Sequence, residues 1–166
     1  MFPADLVHKA ETLVSLCRAK KLKVATAESC TGGLVGGLIT AVAGSSDIYD
    51  RGFITYSNEA KRDCLGVAEA MLTKYGAVSE DVARAMAEGA LAHSRAHIAV
   101  SITGIAGPGG GSADKPVGLV HFACGQKGAI ETRAERFGDR GRAEVRLISV
   151  ATAIDLLLAA AAHGVP

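Results

Sequence analysis

The sequence predicts an α/β fold, a three-layer α/β/α sandwich around a mixed sheet with a late antiparallel hairpin. Three observations carry this. Apolar residues recur at helical spacing in some segments and as short β-branched runs in others. Early in the chain the two kinds alternate, as parallel strands joined by helical crossovers require. Late in the chain two strand candidates are separated by only Gly125-Gln126-Lys127-Gly128, a link too short for anything but an antiparallel turn. With 166 residues, 49% of them hydrophobic, there is material for a sizeable core, and residues 1–166 are expected to form one domain without repeat or linker.

The elements follow in order. Leu6, Val7, Ala10, Leu13, Val14 and Cys17 lie at helical spacing behind Pro3, which predicts an amphipathic helix over 4–19. The run 22–27 reads as a buried strand entering Glu28-Ser29-Cys30-Thr31-Gly32-Gly33, with a helix from there to about Ala43. GFITY at 52–56 reads as a second strand, and Ser57 as the cap of a helix that carries Lys61 and ends near Gly66. Ser79 caps a longer helix with Val82, Met86, Ala90 and Leu91 on one face, followed by a strand over 98–103. After a glycine-rich segment, 117–124 and 129–137 are strands, and Val145, Ile148, Ala151, Ile154, Leu157 and Leu158 give a closing helix.

Composition excludes several functions. Eighteen basic against 17 acidic residues leave a net charge of +1, so no overall field draws the chain to nucleic acid or an anionic membrane. Three Tyr, four Phe and no Trp make a poor stacking platform for single strands. Cys17, Cys30, Cys64 and Cys124 are scattered, without zinc-ligand or disulfide spacing, and read as reduced thiols. The N-terminus lacks an apolar signal region, and the apolar run 32–44 is too short to span a bilayer, so a cytoplasmic protein is expected.

Four segments could carry chemistry. Ser29 sits in a tight strand-to-helix turn at the carboxyl edge of the sheet, where α/β proteins place their sites. The N–H groups of Cys30, Thr31, Gly32 and Gly33 could there hold an oxyanion or a phosphate, although an ordinary serine cap explains the same residues. Lys61 could be the base that a weakly nucleophilic serine needs, if burial keeps its amine neutral, with Tyr56 relaying or orienting the proton; a solvated helix-face lysine is the alternative. The loop from Gly104 to Gly118 could wrap an anion or simply cross over. It fits neither a Walker loop nor G-x-G-x-x-G, because Ser112 stands where the third glycine would be. Arg140 and Arg142 precede the last helix, where they could meet a phosphate or be solvated beside an Asp139 cap. His93 and His97 have metal-ligand spacing, but the helix ends between them and no acidic third ligand is near, so no metal is expected.

Together AESCTGG, GSSDIYDRGFITYSNEAK, GAVSE, SITGIAGPGGGSADKPVG and the late GDR resemble the C-terminal domain family of the competence/damage-inducible protein CinA, over about residues 5–160. The stand-alone members of that family are nicotinamide-nucleotide amidohydrolases. The resemblance implies hydrolysis of the carboxamide of nicotinamide mononucleotide to nicotinic acid mononucleotide and ammonia, a pyridine nucleotide salvage step, by a serine-lysine pair without metal or cofactor. It implies Ser29 as nucleophile, Lys61 as base and Tyr56 assisting. Cys30, Thr31, Gly32, Gly33, Thr103 and Gly104 would line the substrate pocket, and Arg140 would hold the 5′-phosphate. It further implies a homodimer or larger assembly, and absence of the molybdopterin-binding-like domain of longer relatives. A non-catalytic module that binds a nucleotide or a DNA-repair partner, or an amidase for another small amide, would share these motifs.

Overall fold

Alternation along the strands sorts the core into two faces, and this sorting places everything that follows. The computed structural model describes residues 1–163. In chain order the elements are α1 (Ala4–Ala19), β1 (Val24–Glu28), α2 (Leu34–Thr40), β2 (Tyr49–Ile54), α3 (Asn58–Leu65), α4 (Glu69–Tyr75), α5 (Glu80–Ala92), β3 (Ile98–Gly104), β4 (Leu119–Gln126), β5 (Ala129–Arg136) and α6 (Arg142–His163). The sheet order is β2-β1-β3-β4-β5. β1 runs parallel to β2 and β3, whereas β4 is antiparallel to β3 and β5, so the expected mixed sheet with a terminal hairpin is present.

On one face Val24, Ile98, Val100, Ile102, Val120 and Phe122 pack under α1, α2 and α6. Large aliphatics there match the stripe of α6, whose Val145, Val150, Ile154 and Leu157 are fully buried. By length and composition α6 could cross a bilayer, but here its apolar face covers the sheet and α1. On the other face the sheet presents small residues, Ala25, Ala27, Ala99 and Ala123, to Ala83, Met86, Ala87 and Ala90 of α5. Small side chains bring that helix close, and close packing also governs α3. A Cβ on Gly89 of α5 would lie 2.1 Å from the Leu65 carbonyl oxygen, so only glycine admits the end of α3 at this position.

Several boundaries differ from the sequence expectation. β1 begins at Val24 and includes Glu28, because residues 24–28 find partners on both sides. β2 starts at Tyr49, paired with Val24, and gives up regular pairing after Ile54. The helix after Gly33 stops at Thr40 rather than Ala43. α4 has no counterpart in the sequence expectation, since its seven residues have no side-chain cap and bury only Leu72, too little periodicity to mark a helix. The hairpin pairs through Gln126 and Ala129, which reduces the link to Lys127-Gly128. The last helix starts at Arg142, three residues before its first fully buried position.

Candidate active site

β1 ends at the same edge as β2 and β3, with Glu28 opposite Ile54 and Ile102. Because successive side chains alternate, Glu28 faces α2 while Ser29 falls on the side of α3 and α5. Ser29 is fixed to the sheet by its N–H, which donates to Ile102 at 2.9 Å. From the far side of the edge strand, Ser57 caps α3 by accepting the Ala60 N–H at 3.0 Å, as its sequence position predicts. One turn into that helix Lys61 turns inward.

The Lys61 amine lies 3.1 Å from Ser29 Oγ and donates to the Thr55 carbonyl at 2.9 Å. Lys61 is only 1% exposed and Ser29 8%. Among the described residues no carboxylate pairs with Lys61, and burial pushes its ammonium below the ordinary lysine range, against a weaker opposing effect of Cys30. The neighbouring Cys30 thiol is pushed the other way, up to about 11, chiefly by burial, so it stays protonated where the amine can be neutral. Thr55 accepts from the amine through its carbonyl, while its hydroxyl oxygen is buried without a hydrogen-bond partner among the described residues.

The turn after Ser29 is built differently from the sequence expectation. Glu28, 1% exposed, accepts the Thr31 hydroxyl at 2.8 Å and the N–H groups of Gly33, Val35 and Gly36 at 2.9, 3.1 and 2.9 Å. The start of α2 is therefore neutralised from within, and Gly33 has no N–H to offer a substrate. Gly32 donates to the Ser29 carbonyl at 3.0 Å, which removes a second expected donor. The N–H groups of Cys30 and Thr31 remain, and among the described residues neither donates to a protein oxygen. Left-handed conformations at Gly32 (φ +60°) and Gly33 (φ +96°) make the turn possible.

The remaining expected site residues are distributed unevenly. The Tyr56 hydroxyl accepts from Arg142 at 2.8 Å and is not bonded to the Ser29–Lys61 pair; the ring is 60% exposed. The Thr103 hydroxyl donates to the Ala77 carbonyl at 2.7 Å, and Gly104 lies so close to β4 that a Cβ would meet Val120 and the Leu119 oxygen. Arg140 is turned away: it donates to the Phe137 carbonyl and pairs with Glu144 in solvent. Arg142, two residues on, spans from the Gly107 carbonyl at 3.0 Å to the Tyr56 hydroxyl and so lies between the glycine-rich loop and the end of β2. Arg146, one turn further, donates to the Cys30 and Thr31 carbonyls at 3.1 and 3.0 Å. Helical i, i+4 spacing of Arg142 and Arg146 was the signal that could have paired them. His93 and His97 are engaged with backbone, at the Gly89 carbonyl and the Lys23 N–H. Two surface cavities, of about 550 and 650 Å³, lie at the opposite end of the sheet around Gln126; of these residues only His97 lines one of them, the second.

Fold and site define a class: a mixed-sheet α/β protein with a buried serine-lysine pair at the carboxyl ends of its parallel strands. The chain belongs to the CinA C-terminal domain family, whose model matches residues 7–161. It is 52% identical over 142 residues to the nicotinamide-nucleotide amidohydrolase PncC of Escherichia coli K12, covering 84% of this chain and 86% of that one. It is 55% identical over 141 residues to a CinA-like protein of Syntrophobacter fumaroxidans, covering 85% of this chain and 33% of that protein, so it spans about a third of that relative's length. The crystal structure of the competence/damage inducible protein CihA from Agrobacterium tumefaciens superposes with a TM-score of 0.94 at 53% identity, covering 96% of this chain and 97% of that one.

Proposed function

We propose that this chain is a nicotinamide-nucleotide amidohydrolase, converting nicotinamide mononucleotide and water to nicotinic acid mononucleotide and ammonia by a serine-lysine mechanism. The observation that carries the mechanism is the 3.1 Å approach of a buried amine, without a carboxylate partner among the described residues, to a serine hydroxyl. The amide substrate is supported by the relative named for that activity, of which this chain covers most of the length.

The steps follow from the geometry. Neutral Lys61 takes the proton of Ser29 as Oγ attacks the amide carbon, forming the C–O bond. The carbonyl electron pair moves to oxygen, where the free N–H groups of Cys30 and Thr31 are the available donors. The Lys61 proton passes to the amide nitrogen, the C–N bond breaks, and ammonia leaves an ester on Ser29. Water then adds with Lys61 again as base, and the ester C–O bond breaks to return the serine. Arg142, rather than Arg140, is positioned to hold the substrate phosphate, since its guanidinium lies between the loop carbonyl of Gly107 and Tyr56. Tyr56 acts in this reading on the substrate side, through Arg142. A cytoplasmic homo-oligomer completes the proposal, its assembly state being open to sedimentation.

The test is ammonia release by the purified protein from nicotinamide mononucleotide, nicotinamide riboside and unrelated amides. Release from the mononucleotide in preference to the others is expected. No release from any would favour a ligand-binding module, and preference for an unphosphorylated amide would remove the phosphate role.

A further inference from the structure

The carbonyls of Ser29, Cys30 and Thr31 are all held in place, and one side chain from the far end of the chain holds two of them, sharing Thr31 with the Leu34 N–H. Ser29 accepts the Gly32 N–H. Arg146 Nε donates to Cys30 and Arg146 Nη2 to Thr31. In a trans peptide the N–H points opposite to the C=O it shares a plane with. Holding the Cys30 carbonyl toward α6 therefore turns the Thr31 N–H away from α6. Glu28 works on the same turn from its inner side, accepting from the Thr31 hydroxyl and from the Gly33 N–H.

We propose that Arg146 is a positioning residue for amide cleavage: by holding the Cys30 carbonyl, with the Thr31 carbonyl beside it, its guanidinium fixes the peptide plane that carries the Thr31 N–H so that this donor faces the oxygen that becomes negative during attack by Ser29. The Cys30 N–H shares its plane with the Ser29 carbonyl that Gly32 holds. The inference rests on the proposed role of Ser29 and adds to it what aims the oxyanion donors. Arg146 touches no reacting atom in this account. Its planar fork suits two adjacent carbonyls, which a single ammonium cannot bridge with the same geometry. Its charge, placed on the carbonyl side, also polarises the peptide units and strengthens the N–H groups on their opposite side.

The experiment compares wild-type protein with Arg146→Ala and Arg146→Gln, the latter retaining one donor should the alanine variant fold poorly. Each is assayed with nicotinamide mononucleotide and with its thioamide analogue, whose sulfur is a poor acceptor. Expected are a fall in kcat of about 100-fold with KM little changed, a smaller preference for the oxygen amide over the thioamide, and partial recovery of Arg146→Ala by millimolar guanidinium. A merely structural role would not change the oxygen-to-sulfur preference. A folded variant with kcat within threefold of wild type overturns the proposal, as does a loss confined to KM that disappears with nicotinamide riboside, since Arg146 would then bind phosphate. If Ser29→Ala keeps full turnover, the nucleophile assignment fails instead, and that result is independent of any Arg146 variant.

Discussion

Glu28 and Ser29 are consecutive residues whose side chains serve opposite faces of the sheet. The Glu28 carboxylate accepts four hydrogen bonds at the start of α2, while the Ser29 hydroxyl meets Lys61 at 3.1 Å on the other side. A strand's two-residue period produces this division, so the residue that shapes the turn and the residue proposed to react cannot exchange places. Glu28→Gln replaces an acceptor with a group that brings two donors into a ring of donors. It is expected to cost about 2 kcal/mol or more of stability and to lower kcat, measured by denaturant unfolding alongside the ammonia assay.

Lys61→Met keeps the length and bulk of the side chain and removes the amine. Turnover is expected to fall about 1,000-fold or more, while the melting temperature moves by only a few degrees, because a buried amine without a carboxylate partner contributes little to stability. Loss of folding in this variant, by circular dichroism, would show that the amine is structural.

The pH dependence has a definite sign. Lys61 acts as a base only when neutral, and burial lowers its pKa. kcat/KM should therefore rise with pH and level off below the ordinary lysine range, with one titrating group on the acidic limb. The Cys30 thiol, near 11, should not contribute to that limb. A pH–rate profile that instead falls as pH rises through neutrality would assign the chemistry to a group needed in its protonated form.

Gly89→Ala tests how α3 is placed. The added methyl would sit 2.1 Å from the Leu65 oxygen, four residues beyond Lys61. A stability loss of about 1–3 kcal/mol is expected, with a fall in kcat in protein that remains folded, since the helix carrying the base must move.

The two arginines near the start of α6 should separate cleanly. Arg142→Ala is expected to raise KM for the mononucleotide about tenfold or more, with little effect on the riboside, whereas Arg140→Ala should stay within twofold of wild type. The reverse result would return the phosphate role to Arg140.

Much of this arrangement was legible in the sequence, and the unreadable parts share a cause. Helices with a strong apolar stripe or a serine cap, such as those starting at Ala4, Asn58 and Glu80, could be read from local pattern. The turn at Ser29 and the lysine one turn past Ser57 were visible as an arrangement of residue types. The use of Glu28 was not: an acidic residue at a strand end reads as solvated until the fold closes four donors around it. Arg142 was a candidate beside Arg140, but its partners, and Arg146 altogether, were obscured, because Tyr56, Gly107, Cys30 and Thr31 lie 35 to 116 positions away. Arg140 belongs to the GDR motif, yet it bonds Phe137 and Glu144, whereas Arg142 bonds Gly107 and Tyr56.

The most direct measurement places wild-type protein and Ser29→Ala side by side and follows ammonia from nicotinamide mononucleotide, with substrate affinity determined separately by calorimetry. The account predicts release by the wild type, no detectable release by the variant, and comparable binding by both. Equal rates of release from the two proteins would contradict it.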